Sequence, residues 1–153
     1  MRTLLLAVAI GAAAVTAARA ETTPYQPAVR THYGYAETQT DVNRVRVSFA
    51  GNSDTSRETV ELYLLYRAAE VTLQRGYDYF VVADHSVEAR TEYAASGPPL
   101  PPIAPARRYR EISSCTAVSD IIMHRGARPP AAQNAFDART VYANLAGRIS
   151  RPN

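Results

Sequence analysis

The chain has no lysine, no tryptophan and a single cysteine in its 153 residues. Each absence narrows the field. With Cys115 alone, no disulfide can form within the chain, so apolar packing must supply its stability. The three histidines, His32, His85 and His124, are scattered and show no metal-ligand spacing with Cys115, which argues against a metal site. Without lysine, all 17 basic residues are arginine, set against 14 acidic ones. Arg2 and Arg19 lie in the first twenty residues, where no acid occurs, so the remainder carries 15 minus 14, or +1. That balance does not imply a nucleic-acid or anionic-membrane partner, a signal that requires clustered excess charge, and no nucleic-acid partner is expected. The ten tyrosines are spread along the chain, so no aromatic sugar platform stands out. No G-x-S-x-G elbow, phosphate-binding glycine loop or cofactor motif occurs.

What is present begins with "MRTLLLAVAIGAAAVTAARA", which reads as a secretory signal. Arg2 gives the positive start, the run from Leu4 to Ala18 is apolar, and Ala18-Arg19-Ala20 supplies the small residues of a cleavage site. The run is short for a membrane-spanning helix, which needs roughly 20 residues, and no comparable run follows. Cleavage is expected between Ala20 and Glu21. That gives a periplasmic protein with no transmembrane segment in the mature chain. No cysteine near the cleavage site supports a lipid anchor. The expected plan is a signal peptide over 1–20, an extended N-terminal segment over 21–43, and one α+β domain over 44–150. A proline-rich loop is expected at about 97–106.

Within the domain, "VNRVRVSFAG" alternates Val45, Val47 and Phe49 with Arg44, Arg46 and Ser48, predicting a strand with one buried face. Thr55-Ser56-Arg57-Glu58 fits a capping box with Thr55 as the cap. The helix that follows is predicted to end near Gln74, with Gly76 as a left-handed stop. Leu62, Leu65, Tyr66, Ala69 and Leu73 predict its core stripe, with Val60, Leu64 and Val71 as a smaller second patch. "YDYFVVADH" is continuously apolar and predicts a central strand covered on both faces. "YREISSCTAVSDIIMHRG" predicts one or two strands with a bulge near Ser114-Cys115. Val141, Leu145 and Ile149 favour a short C-terminal helix beginning near Asp137, with a strand as the alternative. The expected architecture is a two-layer sandwich, a small mixed sheet with helices on one face.

Candidate chemistry is sparse. Asp84-His85 ends the predicted central strand, but strand neighbours point to opposite faces and cannot form a dyad directly. Cys115 is expected to be a buried, reduced thiol with a packing role, and its serine neighbours, Ser113, Ser114 and Ser119, form no nucleophile motif. Arg107, Arg108, Tyr109 and Arg110 form the one dense basic cluster, suited to phosphate or carboxylate groups of lipids or cell wall. No catalytic, metal or cofactor-binding residue is assigned.

The stretch "GNSDTSRETVELYLLYRAAEVTLQRGYDYFVV", with "TPYQPA", "GYAETQTDVNRVRVSFAGN" and "NAFDARTVYANL", resembles a family of small exported alphaproteobacterial proteins usually described as lipoproteins. Members carry a cysteine at the cleavage site, where this chain has Ala20-Glu21. The resemblance implies export and brings no activity or site residues. The function expected is non-catalytic, binding or supporting a cell-envelope component, with a protein, cell-wall or lipid partner. A small-ligand-binding module using a pocket between sheet and proline loop is the alternative, and a small hydrolase the third reading.

Overall fold

The computed structural model describes residues 21–28, 32–96 and 108–152, with the backbone alone at 93–96 and 108–112. It is an α+β fold. Five strands, β1 (Gly34–Asp41), β2 (Arg44–Gly51), β3 (Tyr79–Ser96), β4 (Arg108–His124) and β5 (Ala135–Asp137), form one sheet in the order β1-β2-β4-β3-β5. Helices α1 (Arg57–Gln74) and α2 (Ala138–Ala146) pack on it and on each other. Every pair of neighbouring strands is antiparallel, where a mixed sheet was expected. The physical reason is the path of the chain. β2, α1 and β3 make a crossover whose strands run the same way but leave a one-strand gap, and the return of the β3–β4 hairpin fills it.

β2 behaves as its alternation requires: Val45, Val47 and Phe49 are fully buried, while Arg44 and Arg46 face solvent. α1 ends as predicted. Tyr77 N–H reaches Thr72 O and Gly76 N–H reaches Leu73 O, both at 3.0 Å, with Gly76 at φ +74°, the paired bonds of a Schellman cap.

Its start differs by one residue. Ser56 is the N-cap, with Oγ accepting from Thr59 N–H at 3.2 Å. Thr55 is buried and serves the N-terminal segment instead, accepting from Thr23 N–H at 2.8 Å. The buried face of α1 also differs. Tyr66 and Ala69 are buried as predicted, but Val60, Leu64 and Val71 are central to the core too, together with Tyr63, Arg67, Ala68 and Thr72, while Leu62, Leu65 and Leu73 sit at its margins. The sheet meets the helix side that carries more polar letters, because tyrosine and arginine bury their stems and bond through their tips.

The segment 21–43, expected as an extended lead-in, contributes β1 and part of the core. Tyr25 is 5% exposed, packs against Tyr35, Tyr63 and Tyr66, and donates its hydroxyl proton to Glu70. Gly34 turns the chain into β1 at φ +125°. A Cβ there would lie 2.3 Å from Gln26 O, so only glycine fits.

β3 is not covered on both faces. Phe80 is buried, but Tyr79, Val81 and Val82 are only partly so, and residues 83–86 are exposed, because the helices cover one side. The strand that fills the middle of the sheet is β4, with Ala117, Ser119, Ile121 and Met123 buried. It is a single strand without a bulge at Ser114-Cys115. The register shift lies in β3, between Val82 and Asp84. α2 forms as the C-terminal spacing suggests, capped by Asp137, whose Oδ1 accepts from Thr140 N–H at 2.8 Å.

Candidate functional site

The bulge at Ala83 determines which side chains meet. In an unbroken strand Val82, Asp84 and Ser86 would share a face. The shift pairs Val82 with Ile121, Asp84 with Asp120 and His85 with Ser119. Asp84 is thereby turned to the open face, near Arg46 and Asp120, and His85 to the helix side. The two do point apart, as alternation requires.

His85 then lines a cavity of about 430 Å³ between sheet and α1. Its walls are Leu64, Leu65 and Ala68 from α1, Phe80 and Val82 from β3, and Ile121 from β4. Phe136 of β5 stacks on Phe80 at 5.5 Å and closes one side. Gln133 and Asn134 form the rim, held in place by reciprocal bonds: Val82 N–H to Asn134 O at 2.9 Å, and Asn134 Nδ2 to Val82 O at 3.1 Å. Arg128 braces this rim from outside through Ala132 O and Ala135 O.

The cavity has two unlike ends. α1 runs opposite to β2, so Glu61 lies level with His85 and Ser119, Leu64 and Leu65 with Val82 and Ile121, and Ala68 with Phe80. Polar groups therefore gather at one end and apolar ones at the other. At the polar end His85 Nδ1 lies 2.8 Å from Ser119 Oγ, and Ser119 is 5% exposed. Ser119 sits mid-strand between β2 and β3, in register with Val47 and His85, so the surrounding amides are engaged in the sheet ladders. Among the described residues the strands beside Ser119 leave no turn or helix start whose amides could hold an oxyanion.

A second polar cluster lies on the other side of α1. The buried Arg67 donates to Glu37 Oε2 at 3.1 and 2.9 Å and to Glu70, and its guanidinium lies 4.2 Å from the Tyr35 ring centre. Burial works against the Arg67 charge, and its hydrogen bonds to Glu70 and Tyr25 more than offset this, raising its pKa. Burial, reinforced by Glu70, likewise raises the Tyr25 hydroxyl pKa. Every group here is satisfied by another, and the cluster closes the N-terminal segment onto the body.

Cys115 is partly exposed rather than buried. It lines a smaller cavity of about 180 Å³ with Asn52, Thr55 and Arg57. Its partner across the sheet is Gly51, which has no side chain to cover the thiol. A larger residue at 51 would meet Thr55 and Val60 at 2.8 Å. His124 stacks on Tyr79 and His32 lies by Arg90 and Glu92, so the three histidines are not brought together. Among the described residues no group of three His, Cys, Asp or Glu side chains could hold a metal, and no helix is long and apolar enough to cross a membrane.

Of the basic cluster, Arg107 lies outside the described residues. Arg108, Tyr109 and Arg110 open β4, where Arg108 pairs with Ser96 at the far end of the β3–β4 ribbon. Ala20 and the loop at 97–106 also lie outside the described residues. Glu21 is described, and its carbonyl accepts from Asn52 Nδ2 at 2.8 Å. The cavity lies between the sheet and α1, a pocket between the sheet and the proline loop would fall outside the described residues, and Glu61, Gln133 and Asn134 had no motif to mark them. Comparison of the chain with family models, curated proteins and solved structures finds no match.

Proposed function

We propose that this chain is an exported, non-catalytic periplasmic protein that binds a small, mostly apolar molecule of the cell envelope between α1 and the sheet. The observation that carries the reading is the cavity of about 430 Å³, walled by aliphatic and aromatic side chains with a few polar groups at one end. Binding sites for small molecules have this size and composition. Export is supported by the charged start, apolar run and Ala18-Arg19-Ala20 of the first twenty residues. It predicts a periplasmic product beginning at Glu21 without lipid, which mass spectrometry reads directly.

A second reading, a small hydrolase, draws on the contact between His85 and Ser119. It is the weaker one, because Ser119 has neither an exposed turn nor an oxyanion site beside it.

The binding reading is tested with N-phenyl-1-naphthylamine, a neutral apolar dye that brightens when it leaves water. The wild-type protein should bind it saturably with one site. Leu65→Trp, which places a large ring at a partly buried cavity wall, should abolish the signal while leaving the circular dichroism spectrum unchanged. Saturable binding that survives Leu65→Trp puts the dye elsewhere and removes the basis of the proposal.

A further inference from the structure

The polar end of the cavity carries a preference of charge. No arginine is among its twelve lining residues, and the chain has no lysine. The one side chain there with a formal charge is Glu61. Its Oε1 accepts from Arg57 Nε at 2.7 Å, but that arginine is 71% exposed and borders the smaller cavity beside Cys115. An exposed i,i+4 pair of this kind is weak and holds its partner loosely. Glu61 Oε2 accepts no hydrogen bond from any described residue.

His85 adds to the pattern. Its Nδ1 is engaged by Ser119, while Nε2 has no partner among the described residues. Where Nδ1–H donates to Ser119 Oγ, Nε2 is left as an acceptor, and where Ser119 donates to Nδ1, Nε2–H is a donor. In either tautomer Glu61 Oε2 is an open acceptor at this end. A carboxylate or phosphate placed there would face the Glu61 carboxylate, with no arginine among the residues that line the cavity. A hydroxyl or ammonium group would donate to Glu61 Oε2.

We propose that the cavity selects amphiphiles whose head donates hydrogen bonds and carries no negative charge, an amine or an alcohol, with an apolar chain lying toward Ala68 and Phe80. This rests on the binding reading above and specifies the ligand class for the same cavity. Fatty acids, whose head is a bare carboxylate, are disfavoured by the same argument.

Displacement of bound N-phenyl-1-naphthylamine at pH 7.5, below micelle-forming concentrations, tests it with three ten-carbon probes. Decylamine and decanoate bear opposite single charges on nearly matched chains, so chain burial largely cancels between them. Decylamine should displace the dye at a concentration at least about tenfold below decanoate. Glu61→Gln, at a position whose side chain is 40% exposed and tolerant of the change, should shrink that ratio to within about threefold. Decanol carries the donor without the charge. Decanol more potent than decylamine assigns the head to a hydroxyl, the reverse order to an ammonium, and both orders carry the proposal. Decanoate as potent as decylamine, or a ratio unchanged in Glu61→Gln, overturns it. A wild-type protein that never binds the dye instead refutes the binding reading itself, so the two failures are distinct.

Discussion

Replacing Arg67 by methionine should be the most damaging single polar substitution in this protein. Methionine keeps the apolar stem along α1 but removes the guanidinium. Glu70, whose side chain is 16% exposed, then loses its cation and keeps only the Tyr25 hydroxyl. Glu37, at 33%, loses both of its bonds but can be reached by water. Breaking a buried ion pair from one side costs about 3–5 kcal/mol. Because Glu37 is partly solvated, the low end of about 3 kcal/mol is expected. At a urea dependence of about 1–3 kcal/mol per molar, the unfolding midpoint followed by circular dichroism at pH 7 should fall by roughly 1–3 M. Arg46→Met is the internal control. It removes an equally well-formed pair with Asp120 at 2.8 Å, but Arg46 is 57% exposed, so the loss should stay below about 1 kcal/mol. The second substitution in Arg67→Met/Glu70→Gln should recover part of the stability, since glutamine leaves no orphaned charge and still faces Tyr25. Equal midpoints for Arg67→Met and Arg46→Met would refute the reasoning, as would a double variant weaker than Arg67→Met alone.

Two further outcomes follow from the caps. Ser56→Ala should cost about 0.5–2 kcal/mol and speed hydrogen exchange at the Thr59 amide, whereas Thr55→Ala should expose the Thr23 amide and leave Thr59 protected, which NMR exchange separates. Hydrogen bonds from the Thr140 backbone and side chain hold the Asp137 carboxyl pKa below its usual value, so its stabilisation is complete above the unfolded pKa of about 3.9 and is lost as pH falls through the lower folded value. The difference in melting temperature between wild type and Asp137→Ala should therefore be full at pH 7 and close in strong acid.

How far the sequence announced this depends on whether each signal was local. The limits of α1 were legible because Gly76 and the serine-threonine run act within one turn. Its buried face was legible only in part, since apolar residues lie on both sides, and Tyr63 and Arg67 enter the core because Tyr25 and Glu37 come from elsewhere to receive them, with Glu70 one turn along α1. β1 reads as polar coil, because an edge strand whose last six residues are exposed has no alternation to display. The apolar run of β3 suggested two covered faces, yet Tyr79 and Val81 are left half-covered on the open side. The meeting of His85 with Ser119, 34 positions apart, depends on a strand order and a bulge that no short motif encodes.

The place of β4 in the middle of the sheet also sets the order in which the protein can assemble. Val47 pairs with Ser119, so β2 must wait for residues 72 positions later (119 minus 47) before its inner edge is satisfied. A chain emerging from its N-terminus at about 5–20 residues per second leaves that edge open for several seconds. During this interval β1, β2 and α1 can already associate, presenting an unpaired strand of the kind that recruits neighbouring chains. Arg44 and Arg46, exposed along that strand, put charge on the waiting edge, a feature that disfavours its pairing with another copy.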